Sequence, residues 1–208
     1  MRSIFDFIVR PVGDRYNNKV KVGDKELVIN TKIESFKAVN NFAEVVAVPL
    51  AYSTDINVGD IVVIHHNVFR VFYDIRGNKK NSRSYFKDDL YFCNLDQIYL
   101  YKNSSGWKAF GDRCFIKPLK NTDHLKIDKE QSLIGILKYG NKSLEALKIN
   151  PGDLVGFTPN SEWEFVIEGA RVYCMKSNDI VIKYGDKGNE EEYNPSWSSS
   201  GRRINKGS

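Results

Sequence analysis

The chain states one pattern twice. Asn57-Val58-Gly59-Asp60-Ile61-Val62 returns as Asn150-Pro151-Gly152-Asp153-Leu154-Val155. On either side, Phe7-Ile8-Val9-Arg10-Pro11-Val12 returns as Cys114-Phe115-Ile116-Lys117-Pro118-Leu119, and Leu90–Ile98 returns as Val172–Ile180. Three matched segments in one order mark an internal duplication, which restricts the chain to two copies of one unit. With 208 residues, each copy is a small domain. We place the copies at residues 1–102 and 103–184, joined at Tyr101–Trp107, a polar stretch too short for a free linker.

Each copy reads as β structure. Short apolar or alternating runs (Phe5–Val9, Ala43–Val48, Ile61–His65, Val68–Tyr73, Leu90–Cys93, Ile98–Tyr101) are bounded by Gly, Pro, Asn or Asp, and the second half repeats the arrangement. Ser143–Leu147 has room for one helical turn. The fold class is therefore all-β, barrel or sandwich. An aromatic content of 12%, mostly Tyr and Phe, suits strands. In the repeated turns, Gly59 and Gly152 supply a positive φ, and Asp60 and Asp153 cap the turn by accepting backbone N–H groups. Their role is structural.

The copies are unequal. Aligned at Pro11 and Pro118, with Glu44 opposite Gly135, the first carries a longer excursion between Pro11 and Glu44. It carries a second excess at Asp74–Arg83, a polar, basic hairpin tip. Residues 185–208 hold Glu190-Glu191-Glu192, Ser198-Ser199-Ser200 and scattered Gly and Asn, a composition expected to stay a flexible tail, with Tyr193, Pro195, Trp197 and Ile204 as its apolar exceptions.

Several functions find no support. Cys93, Cys114 and Cys174 lack metal-ligand spacing, and an odd, unpatterned set suits a reducing compartment. No apolar run reaches the roughly 18 residues of a membrane span, and the amino end lacks a signal-peptide core, so a cytoplasmic protein is expected. His65-His66 are adjacent on a strand and should point to opposite faces, which argues against a shared metal. There is no P-loop and no Gly-x-Gly-x-x-Gly, so neither a catalytic residue nor a cofactor is assigned. A net charge of +5 is mild. The basic spots Lys79-Lys80 and Gly201-Arg202-Arg203 lack a stacking platform on a defined fold, so nucleic acid is not an expected partner.

The order Ile8-Val9-Arg10-Pro11-Val12, long loop, Glu44-Val45-Val46-Ala47-Val48, Val58-Gly59-Asp60-Ile61-Val62 resembles the GroES-type co-chaperonins. The second half resembles them through Gly111–Leu119, Pro151–Val155 and Glu168–Ile182. The resemblance spans residues 4–184 and implies two tandem GroES-like β-barrels, self-association into a ring, and a chaperonin of GroEL type as partner. It also implies a contact loop between Pro11 and Glu44 that orders on binding and inserts an aliphatic triplet into the chaperonin's apical domain. The best triplet here is Leu27-Val28-Ile29. Two glycines precede it in the family, whereas Lys25-Glu26 stand here, and Val20, Val22, Leu27, Ile29 and Ile33 also fit an ordinary hairpin turning at Gly23-Asp24. The function implied is a non-enzymatic lid that assists ATP-driven folding. The alternative is a structural or assembly module, for example a viral capsid-associated protein with the virion as its location, that keeps the fold without chaperonin binding.

Overall fold

The computed structural model describes residues 2–16, 19–22, 25–28, 38–122, 129–185 and 190–199, with only the backbone for 19–22, 25–28 and Ser199. The chain divides into two units, Met1–Gly106 and Trp107–Ser208, a boundary slightly beyond residue 102. The protein is all-β, as the short alternating runs predict.

In the first unit, β1 (Phe7–Pro11) buries every residue but Arg10. β4 (Phe42–Ala47) alternates, sending Ala43, Val45 and Ala47 inward. β5 (Ile61–Ile64), β9 (Leu90–Cys93) and β10 (Ile98–Asn103) add Val62, Val63, Ile64, Tyr91, Cys93 and Leu100 to the core. With β8 (Tyr85–Lys87), these strands lie in the order β10-β5-β4-β1-β9-β8. Two hairpins stand apart from this sheet: β2 (Lys19–Val22) with β3 (Lys25–Val28), and β6 (Val71–Tyr73) with β7 (Lys79–Asn81). The stretch read as a polar joint is largely strand. It holds the end of β10, a turn in which Asn103 Oδ1 accepts the Ser105 N–H at 2.9 Å, and the start of β11 (Gly106–Ala109).

The second unit uses β12 (Arg113–Lys120), β13 (Glu130–Tyr139), β14 (Leu154–Phe157), β15 (Trp163–Ile167), β16 (Ala170–Lys176) and β17 (Ile180–Lys183). Their order, β17-β14-β13-β12-β16-β15, matches the six strands β10-β5-β4-β1-β9-β8 of the seven-stranded first sheet, which carries β11 in addition. Asn141 caps α1 (Lys142–Ala146), accepting the Leu144 N–H at 3.1 Å. That turn delivers Leu144 to a core of Cys114, Ile116, Leu137, Val155, Phe157 and Met175.

The registers refine the alignment. Val9 pairs with Val45 and Arg10 with Glu44; Ile116 pairs with Leu137 and Lys117 with Ile136. The partner of Glu44 is thus Ile136, one residue later than Gly135. Gly135 sits instead where the first unit has Ala43, opposite Pro118. A Cβ at Gly135 would lie 2.4 Å from the Ile116 side chain and 2.5 Å from the Lys117 carbonyl oxygen, so glycine is required by close approach rather than by φ.

The stretch expected to be a flexible tail contains a docked segment. Glu192 bridges Leu119, Glu191 O accepts the Lys120 N–H at 2.8 Å, and Pro118 O accepts the Tyr193 N–H at 2.8 Å. β16 covers β12 only along Arg113–Ile116, which leaves Pro118–Lys120 for this segment. The three glutamates divide their partners: Glu190 takes Gln131, Glu191 takes Lys120 and Glu192 takes Lys117. Beyond them Asn194 accepts the Arg171 N–H at 3.0 Å, and the short helix α2 (Ser196–Ser199) packs on β16. Composition alone missed these partners because they lie far away in the sequence.

Candidate partner-binding surfaces

The repeated Gly-Asp turns have nearly the same geometry in both units. Asp60 Oδ2 accepts the Asn57 N–H at 2.8 Å, and Asp153 Oδ2 accepts the Asn150 N–H at 2.8 Å. Gly59 and Gly152, at φ +90° and +99°, donate to Val45 O at 2.8 Å and Leu137 O at 2.7 Å. Each turn therefore locks β5 or β14 to its neighbouring strand. Asp153 has an added partner in Lys183 Nζ at 2.8 Å. The backbone bond from Asn150, then Lys183, hold its carboxyl below the usual range.

The contact-loop triplet is only partly described. Leu27 and Val28 lie on β3, opposite Val20 and Lys19, and Val22 faces Lys25 across the intervening Gly23-Asp24. Ile29, Gly23 and Asp24 lie outside the described residues, as do residues 30–37. The second unit's corresponding loop lies at 123–128, also outside them.

The root of this loop is held firmly. Arg15 donates to the Phe69 carbonyl, to Arg70 O at 3.2 Å and to Asn81 Oδ1 at 2.9 Å, while its guanidinium sits 5.1 Å from the Tyr91 ring centroid. The Val71 N–H donates to Tyr16 Oη at 2.6 Å. Both residues thus clamp the base of the β6–β7 hairpin. At its far end Asp74 closes the turn, accepting Arg76 N–H at 2.9 Å and Asn78 N–H at 2.8 Å. Those bonds, Asn78 first, depress the Asp74 pKa. The hairpin is a defined arm. Phe72 and Tyr73 are each 41% exposed, and Ile75 at the tip is fully exposed. The alternating pattern predicts one strand-like run over Val68–Tyr73. In fact Val68 closes a 3₁₀ turn, and β6 begins at Val71 and leaves the core after it.

The other candidates lose their chemistry to packing. Burial pushes the Cys114 thiol up to about 12 and raises Cys93 and Cys174 as well, so none is a ready nucleophile. The two histidines do not diverge as adjacent strand residues would. β5 ends at Ile64, and the rings stack with centroids 4.2 Å apart. His65 Nδ1 accepts the Asn67 N–H at 3.0 Å, capping the 3₁₀ turn His66–Val68. Burial, then His65 and Arg70, lower His66 to about 4. Among the described residues no three His, Cys, Asp or Glu side chains gather as a metal site, and no helix there is long and apolar enough to cross a membrane. The arrangement offers binding surfaces: two hairpins on the first unit and a segment-covered edge on the second. No protein-family model matches the chain, and a search of curated proteins returns no significant match.

Proposed function

We propose that this is a non-enzymatic, co-chaperonin-type protein of two GroES-like β-barrels. It self-associates into a ring and caps a GroEL-type chaperonin in the cytoplasm. The observation that carries the reading is one strand order used twice, with the β2–β3 excursion inserted after the first strand of the first unit, where the family places its contact loop. Leu27, Val28 and Ile29 supply the inserted apolar contact. Ordering that loop on contact keeps affinity per site moderate, and a ring of copies restores it through avidity. ATP hydrolysis by the chaperonin then releases the lid, which binds no nucleotide of its own.

The test is co-elution with a chaperonin in the presence of nucleotide. Binding that is lost in the triple variant Leu27→Ser, Val28→Ser, Ile29→Ser supports the reading; binding indifferent to it removes the loop from the mechanism. The second reading, an assembly module, is favoured by one observation. The backbones of Leu27 and Val28 are already paired with β2, as in a finished hairpin. Protease resistance between Asn17 and Asn41 in the free protein, with no chaperonin binding, would decide for it.

A further inference from the structure

The β6–β7 arm has no counterpart in the second unit, where β14 and β15 are separated only by Thr158–Glu162. Its chemistry is one-sided. From residue 70 to residue 83 the chain carries Arg70, Arg76, Lys79, Lys80 and Arg83 against the single carboxylate of Asp74, which is engaged in closing the turn, whereas Lys87 at the end of β8 is followed by Asp88 and Asp89. Arg76, Lys79, Lys80 and Arg83 are exposed and form no ion pair with a described residue. Four cations on and just beyond one small hairpin, without counter-charges among the described residues, attract a polyanion.

The register tells which polyanion. Phe72 pairs with Lys80 and Tyr73 with Lys79, so each exposed ring has a lysine across the ladder. Arg70 lies 5.1 Å from the Phe72 ring centroid. The neighbouring strand β8 presents two more exposed rings, Tyr85 and Phe86, the latter beneath Lys87 at 5.4 Å. Aromatic faces interleaved with cations are the two halves of a single-strand site: rings stack unpaired bases and cations take the phosphates. We propose that the β6–β7 arm, with β8, binds single-stranded nucleic acid through Phe72 and Tyr73 as stacking residues and Arg76, Lys79, Lys80 and Arg83 as phosphate contacts.

A duplex would make no use of the rings, because its bases are already stacked. An anionic membrane would use the cations and Ile75, but Ile75 is the arm's sole aliphatic at the tip, flanked by an ionised Asp74 and by Arg76, Gly77 and Asn78. An extended apolar face of the kind that holds a segment in the interface is missing there. The stacking platform whose absence argued against nucleic acid was hidden in the sequence, because Phe72 and Tyr73 continue an apolar run that begins in the core.

The experiment is fluorescence anisotropy with a labelled thymidine 15-mer, the same sequence as a duplex, and vesicles containing phosphatidylserine, each between 50 and 200 mM salt. The single strand should bind tightest. Four phosphate contacts give a slope of log K against log salt of about −3. Lys79→Glu with Lys80→Glu, at exposed positions, should weaken binding at least about tenfold and flatten the slope by about 1.4. Phe72→Ala with Tyr73→Ala should weaken it by about 5- to 150-fold per stacked base while leaving the slope unchanged. Circular dichroism checks that both variants fold. No binding at 50 mM salt, tighter binding to duplex or vesicles, or indifference to both pairs of substitutions would overturn the proposal. No chaperonin enters the assay, so its failure leaves the co-chaperonin reading standing.

Discussion

Arg10 in the first unit and Lys117 in the second stand at equivalent points of two matching sheets, yet they find their counter-charges by different routes. Arg10 meets Glu44 across the ladder, Nε to Oε2 and Nη2 to Oε1 both at 3.0 Å. Lys117 faces Ile136 across its ladder, and its carboxylate comes from Glu192 in the docked segment. Two residues on, Val12 is 45% exposed, while Leu119 is 0% exposed beneath that segment. One sheet is completed by its own strands and the other by a strap. The first unit has instead extended its loops into two hairpins. The copies share a scaffold and differ in what they attach to it, which is how a duplicated fold separates stability from contact.

The contrast can be broken selectively, because Trp163 on β15 and Trp197 on α2 lie in the second unit, so with Trp107 on the boundary strand β11 replaced by Phe the tryptophan emission follows that unit. The largest effect should come from ending the chain after residue 189. Uncovering Leu119, with the bonds to Lys120 and Pro118, should destabilise the second unit by about 3 kcal/mol. Trp163 emission would then shift at lower urea, with tyrosine-reported unfolding of the first unit unmoved. A first-unit transition that moved equally would show that the strap stabilises the whole chain.

Next come the two glycine turns, which should behave alike. Gly59→Ala and Gly152→Ala each force a Cβ into positive φ and should each cost about 1–3 kcal/mol in their own unit. Urea melts showing a large cost in one and none in the other would contradict the shared geometry. A pH dependence of the first unit comes last, because His66 is only half-buried and solvent screens its shift. His66 titrates near 4 in the fold and near 6.5 when unfolded. Between those values the unfolded chain takes up a proton that the folded one refuses, so stability declines as pH falls from about 6.5 to about 4 and is unaffected above that window. His66→Gln should flatten this decline in urea midpoints measured at pH 7, 5.5 and 4.5.

What could be read from the residues was local. Gly59-Asp60 and Gly152-Asp153 announce their turns because the needed φ and the capping carboxylate reside within four residues. The strand order repeats because three segments of sequence repeat. The failures all involve partners distant along the chain. Glu44 matches Ile136 rather than Gly135 because cross-strand registers, not motif spacing, decide which residues meet. His65 and His66 stack because β5 stops one residue earlier than the apolar run suggests. Glu190–Glu192 read as solvated charge, since Gln131, Lys120 and Lys117 are at least 59 residues away. Val68–Tyr73 reads as one strand because apolar identity does not say where a strand begins or leaves the core.

The strap also sets an order of events during synthesis. A ribosome delivers the amino end first. Strands β1 to β10 all precede residue 104, so they can pair while the second unit is still being made. The second cannot: β12 waits for residues 190–199 to emerge, and until then Leu119 and the unpaired edge of Pro118–Lys120 face the solvent. Such an edge is a template for wrong pairing between nascent chains. Lys117 and Lys120, which flank Leu119 and are later neutralised by Glu192 and Glu191, then serve as gatekeepers, repelling a second copy of the same edge until the glutamates arrive.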